Sequence, residues 1–225
     1  RIDTYAKALR RLWNDHLLFT CGCNRRDVEA AASAPQEGVT YGPDGIVYPG
    51  TCNSSENKYS WPDQPMPTDT ALRLDMALAA EWTCEHRIDT PDSGWKRFSS
   101  FVEEGRGPRS ETDLIEFTPK DLQKNVGDVV LARRDMGTSY HLSVVMDDAH
   151  QQITHVVRGE DLFEATKIHV VLQGLLDLPT PTYHHHKLIR DTAGKRLAKR
   201  DDARSIATYR KDGASPADIR AMVGL

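Results

Sequence analysis

Tyr140-His-Leu-Ser-Val-Val-Met146, closed by Asp147-Asp148, and Ile153-Thr-His-Val-Val157, running straight into Arg158-Gly159-Glu160-Asp161, decide how this chain folds. Both runs are expected as strands. The second ends in arginine, glycine and two acids, then gives way to Ile168, Val171, Leu172, Leu175 and Leu176 at i, i+3, i+4, i+7 and i+8. That spacing is one apolar stripe of a helix packed on a sheet. Asp177-Leu-Pro-Thr-Pro181 ends the helix, because proline cannot continue its hydrogen-bond ladder. A strand that stops in charged residues and starts a helix sets those charges at the carboxyl edge of a sheet. In open α/β sheets ligands bind at that edge. Tyr183-His-His-His186, an apolar pair Leu188-Ile189, a turn at Asp191-Thr-Ala-Gly194 and the basic run Lys195-Arg-Leu-Ala-Lys-Arg200 follow.

Composition narrows the class. The chain has 225 residues, 39% hydrophobic and 28% charged, which suits a soluble globular protein with a real core. No apolar run approaches the ~18 residues needed to span a membrane, and the polar, basic start has no signal-peptide pattern. A cytoplasmic protein without membrane partners is expected. The net charge of −4 does not mark a nucleic-acid binder as a whole. Basic charge is instead local: Lys187, Arg190, Lys195, Arg196, Lys199, Arg200 and Arg204 stand against Asp191, Asp201 and Asp202. Taken alone, such a run reads as a solvated loop; its place after the strand–helix unit favours function.

Upstream, Tyr5, Leu9, Leu12, Trp13 and His16 predict a helix over 2–18, and Asn24-Arg-Arg-Asp27 opens a second through Ala32. Residues 35–50 are loop-like, with turn chemistry at Tyr41-Gly-Pro-Asp-Gly45. Residues 70–86 could be strand at Ala71-Leu-Arg-Leu74 or helix at Met76-Ala-Leu-Ala-Ala80. Residues 89–125 read as a long irregular excursion around Gly105-Arg-Gly-Pro108, Gly127-Asp-Val-Val-Leu-Ala132 as a strand, and the pair formed by that strand and the Tyr140 run as a return into the main sheet. Ser205–Lys211 reads as a helix, and Ser215-Pro-Ala-Asp218 starts another, with Ile219, Met222 and Val223 expected inward. There is no internal repeat.

The four cysteines are Cys21, Cys23, Cys52 and Cys84. In a cytosolic chain, close pairs are metal ligands or reduced thiols rather than disulfides. Cys21-Gly-Cys23 brings two sulfurs near one centre, and Tyr48 and Cys52 can return from the far end of the loop. Spacing alone leaves zinc and three reduced thiols both open. Cys84 reads as a small buried hydrophobe. His184, His185 and His186 are not assigned a metal, because neighbours on an extended strand point to opposite faces. Asp147 and Asp148 read as a strand-ending turn rather than a reacting carboxylate pair.

His155-Val-Val-Arg-Gly-Glu-Asp-Leu162 followed by Arg196-Leu-Ala-Lys-Arg200 resembles class I aminoacyl-tRNA synthetases of the glutamyl branch, the second stretch being similar to their Lys-Met-Ser-Lys-Ser signature loop. Within the branch the resemblance is to the glutamyl-Q tRNA(Asp) synthetases, short paralogues that load glutamate onto the queuosine base in the anticodon of aspartate tRNA. It covers residues 1–52 and 127–225 well and the middle poorly. It implies an α/β protein with a Rossmann-like catalytic core and an inserted zinc-bearing subdomain. It also implies a monomer that uses ATP, with Mg²⁺, to activate glutamate and then transfers it to queuosine-containing aspartate tRNA.

By the same resemblance Tyr140 and Arg158 bind the glutamate substrate. A guanidinium suits that role, since it can grip a carboxylate through two parallel hydrogen bonds. Lys199 is implied as the catalytic cation of the ATP-binding loop formed with Arg196, Leu197, Ala198 and Arg200. Cys21, Cys23, Tyr48 and Cys52 match the family's Cys-x-Cys…Tyr-x-x-x-Cys pattern and are implied as ligands of one structural Zn²⁺. For each, a blander role exists: surface lysine, an ion pair of Arg158 with Glu160 or Asp161, core packing of Tyr140.

A Pro-x-x-x-Gly-x-x-His-x-Gly pattern, of the family's other signature type, does not occur in the sequence. The chain is therefore expected to lack the first part of the core, leaving residues 1–20 as a helix of its first half, 21–126 as the insertion, 127–200 as the second half and 201–225 as a helical end. An ordinary glutamyl-tRNA synthetase fragment is the nearest alternative, and a non-catalytic synthetase-like tRNA- or nucleotide-binding module the next. A chain that stops soon after the basic loop, without an anticodon-binding domain, favours the short paralogue.

Overall fold

The computed structural model describes residues 1–33, 38–54, 65–85, 99–134, 137–190, 194 and 204–224. Helix α1 (Ile2–Asn14) buries Tyr5, Ala8, Leu9, Leu12 and Trp13, the face its periodicity predicts. The chain reverses at His16, held at φ 58°, into strand β1 (Leu18–Cys21). Helix α2 (Arg25–Ser33) and a two-residue hairpin, β2 (Tyr41–Gly42) with β3 (Gly45–Ile46), follow. Strand β4 (Ala71–Leu74) then leads directly into helix α3 (Met76–Glu85). Both alternatives for residues 70–86 therefore hold, one after the other. Asp75 accounts for the switch: its carboxylate accepts the Leu78 N–H at 3.2 Å and so opens the helix.

Of the stretch 89–125 expected to be irregular, the described residues 99–117 are a hairpin. Strands β5 (Ser99–Glu103) and β6 (Asp113–Phe117) pair antiparallel, and helix α4 (Pro119–Asn125) follows, with a Thr118/Asp121 capping box. Strand β7 (Val130–Ala132) pairs antiparallel with β4, which also pairs with β1, so the three form one sheet.

Residues 140–150 are helix α5 (Tyr140–His150), not a strand. Ser139 caps it by accepting the Leu142 N–H at 3.4 Å, and His141, Leu142 and Val145 bury one helical face. The valines and tyrosine suggest a strand, but the cap and the packing of α5 on α1 and on the next helix override that preference. Asp147 lies within this helix and joins it to α1, accepting from Tyr5 Oη at 2.7 Å and Arg1 Nε at 2.7 Å. Neither Asp147 nor Asp148 ends a strand. Nor do β7 and residues 140–146 pair as a return into the main sheet.

Strand β8 (His155–Gly159), a single 3₁₀ turn (Glu160–Leu162) and helix α6 (Ala165–Leu175) form the expected strand–helix unit, and strand β9 (Thr182–His186) follows it. Strands β8 and β9 run parallel in full register, and β9 also runs parallel to β5, giving the order β6-β5-β9-β8. Helix α6 is almost wholly buried, from Ala165 to Leu175. One core joins α1, both larger sheets, α5 and α6; a small satellite of Phe19, Cys21 and Tyr48 lies apart.

Short helices α7 (Ile206–Lys211) and α8 (Pro216–Val223) end the described chain. The capping box of Ser215 and Asp218 starts α8 as expected, but no residue of that helix is buried, and Met222 is exposed rather than inward. Among the described residues no helix is long and apolar enough to cross a membrane.

Candidate active site and metal centre

Cys21 ends β1, Cys23 follows the turn, and Tyr48 and Cys52 come from the loop after β3. The three sulfurs lie within 4.8 Å of one another, with Cys23 Sγ 3.5 Å from Cys52 Sγ. Tyr48 Oη is 3.5 Å from Cys21 Sγ and 3.6 Å from Cys23 Sγ. A tetrahedral ion with Zn–S bonds near 2.3 Å holds its sulfurs about 3.8 Å apart, so this donor set fits zinc.

The electrostatics agree. Burial pushes the Cys23 thiol up to about 11, against a hydrogen bond to Tyr48 that lowers it. Burial also works to raise Cys52, but hydrogen bonds with Tyr48, the Gly22 N–H and its sulfur neighbours bring it down to about 7. Burial, and then the three cysteines, hold the Tyr48 phenol far above its ordinary range. Without a cation most of this cluster stays protonated; a metal inverts that balance. The Arg73 guanidinium lies 3.9 Å over the Tyr48 ring. Three cysteines and a tyrosine make a four-donor set, so bound zinc would tie down a satellite with little core of its own.

The second cluster is centred on Arg158, in β8. Its Nε donates to His185 Nε2 at 3.1 Å, one terminal nitrogen to His169 Nδ1 at 3.1 Å, and the other to Thr166 Oγ1 at 2.6 Å and the Leu162 carbonyl at 3.3 Å. Four of its five N–H groups point at these partners. Behind His185 stands Glu103, the last residue of β5, with a fully buried side chain. Its carboxylate accepts His185 Nδ1 at 2.5 Å, and the backbone N–H groups of His185 and Gly105, both at 2.8 Å. Gly105 is required for this approach: a Cβ there would lie 2.3 Å from the His185 carbonyl and 2.8 Å from Glu103 Oε1. Burial keeps His185 below its ordinary value despite the Glu103 carboxylate, and Arg158 adds to that.

On the other side, His169 Nε2 lies 3.1 Å from His141 Nδ1, and His141 Nε2 lies 2.8 Å from Asp44 Oδ1. Burial, then the charge of Arg158, hold His169 well below its ordinary value. Tyr140, half exposed at the start of α5, rests edge-on against His169 with ring centroids 5.8 Å apart. It also lines a cavity of about 720 Å³ together with Asp44, His141, Arg73, Arg133 and the metal-site residues Cys21, Cys23 and Tyr48. Tyr140 and Arg158 thus meet at one buried imidazole. Tyr140 faces the cavity and Arg158 stands one ring behind it. Lys199 and its neighbours Arg196, Leu197, Ala198 and Arg200 lie outside the described residues, as does the side chain of Cys84.

Residues 105–225 match the family described as tRNA synthetases class I (E and Q), catalytic domain. Over its whole length the chain is 56% identical to a glutamyl-Q tRNA(Asp) synthetase of Rhodobacter capsulatus, covering 73% of that protein. The chain belongs to the glutamyl-Q tRNA(Asp) synthetase family. A relative of the same name from Nocardia farcinica is 32% identical over 99% of the chain, which spans 60% of that protein's length. A solved glutamate tRNA ligase from Elizabethkingia meningosepticum, in complex with its amino acid, superposes with a TM-score of 0.59 at 18% identity, over 99% of this chain and 43% of that one. A glutamate-tRNA synthetase from Elizabethkingia anophelis gives 0.55 at 17% identity, over 96% and 39%. The fold is therefore the class I synthetase Rossmann-like core, with a cysteine cluster suited to a metal.

The structure brings together the cysteine set and Tyr140 with Arg158, as named from the sequence, and adds Glu103, Asp44, His141, His169 and Thr166, which the sequence does not single out. His141 and His169 have no motif; the one sequence signal is a histidine on the apolar stripe of each of two adjacent helices. Glu103 lies in a strand whose sequence has the look of a loop. In the sequence His185 is one of three histidines in a row, with nothing to set it apart. His185 is buried while His184 and His186 are exposed, the alternation of an extended strand.

Proposed function

We propose that this chain is the catalytic part of an enzyme that activates glutamate with ATP and transfers it to the queuosine base in the anticodon of aspartate tRNA. The glutamate α-carboxylate attacks the α-phosphorus of ATP, and pyrophosphate leaves with the bonding pair. A hydroxyl of the acceptor then attacks the adenylate carbonyl and releases AMP. Little covalent chemistry falls to the protein. It must bring together two anions that repel each other, and stabilise charge growing on phosphate oxygens.

Tyr140 and the one N–H of Arg158 not committed to partners among the described residues are the groups offered to glutamate. Lys199, in the basic loop with Arg196, Leu197, Ala198 and Arg200, is the cation for the phosphates, Mg²⁺ accompanying the ATP. Zn²⁺ held by Cys21, Cys23, Tyr48 and Cys52 shapes the loop that walls the cavity. Residues 21–126 serve as the inserted subdomain, and the protein acts as a cytoplasmic monomer. The 56% identity along the whole chain carries this proposal. The junction of Tyr140 and Arg158 at His169 supports it.

Glutamate-dependent ATP–pyrophosphate exchange, assayed without tRNA, tests the first step. Transfer of labelled glutamate to aspartate tRNA with and without queuosine tests the second. Exchange that demands tRNA, or equal transfer to both tRNAs, rejects the assignment. Lys199→Ala should abolish exchange with the fold intact by circular dichroism; retained exchange removes Lys199 from its role.

A further inference from the structure

Arg158 can only donate hydrogen bonds. His169 Nδ1, 3.1 Å from it, must therefore be bare, which leaves the proton on Nε2. That proton faces His141 Nδ1 at 3.1 Å, so His141 too carries its proton on Nε2, facing Asp44 at 2.8 Å. The chain runs one way, from a guanidinium to a carboxylate, through two imidazoles that are 2% and 6% exposed. Asp44 sits in the turn of the β2–β3 hairpin, on the cavity wall, four residues before the metal-site residue Tyr48.

We propose that Asp44, His141 and His169 are positioning residues for Arg158, fixing which of its N–H groups is left for the substrate carboxylate and tying that choice to the hairpin beside the metal loop. The inference rests on the reading of Arg158 as a glutamate-binding group. With the Asp44 carboxylate removed, the His141 Nε2–H loses its acceptor and the ring is free to turn away from His169. The His169 ring then loses the acceptor that holds it against Arg158, and the geometry the guanidinium offers to glutamate changes. The relay ends on the group that takes the amino acid, so its loss is expected to fall on glutamate binding rather than on ATP binding.

The test is steady-state pyrophosphate exchange on the protein at its natural length, with imidazole ¹⁵N spectra beside it. Asp44→Ala is expected to raise the KM for glutamate about fivefold, the effect of one weakened hydrogen bond, with the KM for ATP and the melting temperature unchanged. Asp44→Asn, which returns an acceptor oxygen, restores most of the loss. An unchanged glutamate KM in Asp44→Ala overturns the proposal. So does an equal rise in both KM values with a lower melting temperature that Asn does not restore, since that marks a merely structural hairpin. Arg158→Lys separates the two levels: if it leaves the glutamate KM unchanged, the reading of Arg158 fails; if it raises that KM while Asp44→Ala does not, only the positioning chain fails. The spectra decide independently of activity. Both rings should be Nε2–H in the parent, and an Nδ1–H ring at His169 there overturns the proposal.

Discussion

Replacing Glu103 by glutamine changes one atom at the most buried carboxylate of the site, and its cost follows from the hydrogen bonds. Both backbone N–H groups, of His185 and Gly105, point at Oε1, which the amide oxygen can replace. The amide NH₂ must then occupy the Oε2 position, against the His185 Nδ1–H at 2.5 Å. Donor would face donor. His185 can move its proton to Nε2, but that atom accepts from Arg158 Nε at 3.1 Å, and the conflict passes one bond along. Whichever site takes it, one charge-assisted bond is lost and a buried donor is stranded, together about 2–4 kcal/mol. In a chain of this size each kcal/mol lowers the melting temperature by about 2–4 °C, so Glu103→Gln should melt about 4–16 °C below the parent in thermal circular dichroism. Glu103→Ala, which strands all three donors, should melt lower still. A glutamine variant that melts within a degree of its parent would refute the reasoning, because Glu103 would then not be an ionised acceptor and His185 would not be the donor to it.

His169 sets a pH dependence of opposite cause. Its folded-state value is depressed by burial, so the unfolded chain binds the extra proton first. Its contribution is whole above about pH 6.5 and is lost at up to about 1.4 kcal/mol per pH unit as pH falls below that; chemical denaturation at stepped pH should show that slope, and His169→Gln should flatten it. Metal analysis should find one zinc per chain, and chelation or Cys52→Ala should lower the melting temperature while the far-ultraviolet spectrum stays mostly intact; equal melting with and without zinc would remove its structural role. Gly105→Ala should destabilise by more than the ordinary helix-or-loop cost of a methyl group, at least about 2 kcal/mol, because the new Cβ meets the His185 backbone rather than a movable side chain; an alanine variant as stable as the parent would show that the hairpin can shift freely.

Local chemistry wrote much of this protein into its sequence. The apolar stripe of α6, the Pro-terminated helix end, the Ser215-Pro-Ala-Asp218 cap and the Cys-x-Cys spacing each act over a few residues, and each stands where the sequence puts it. Residues 140–146 do not. Their aromatic and β-branched side chains favour a strand, and a serine cap with burial against α1 and α6 makes them a helix. Strand β5 is the same lesson reversed: Ser99–Glu103 has little strand signal of its own and is held by β6 on one side and β9 on the other. Only tertiary structure brings Glu103 to His185, across 82 positions, and Asp44 to His141, across 97. A buried hydrogen bond is specified by where its partner arrives, and no periodicity or spacing within a segment carries that information.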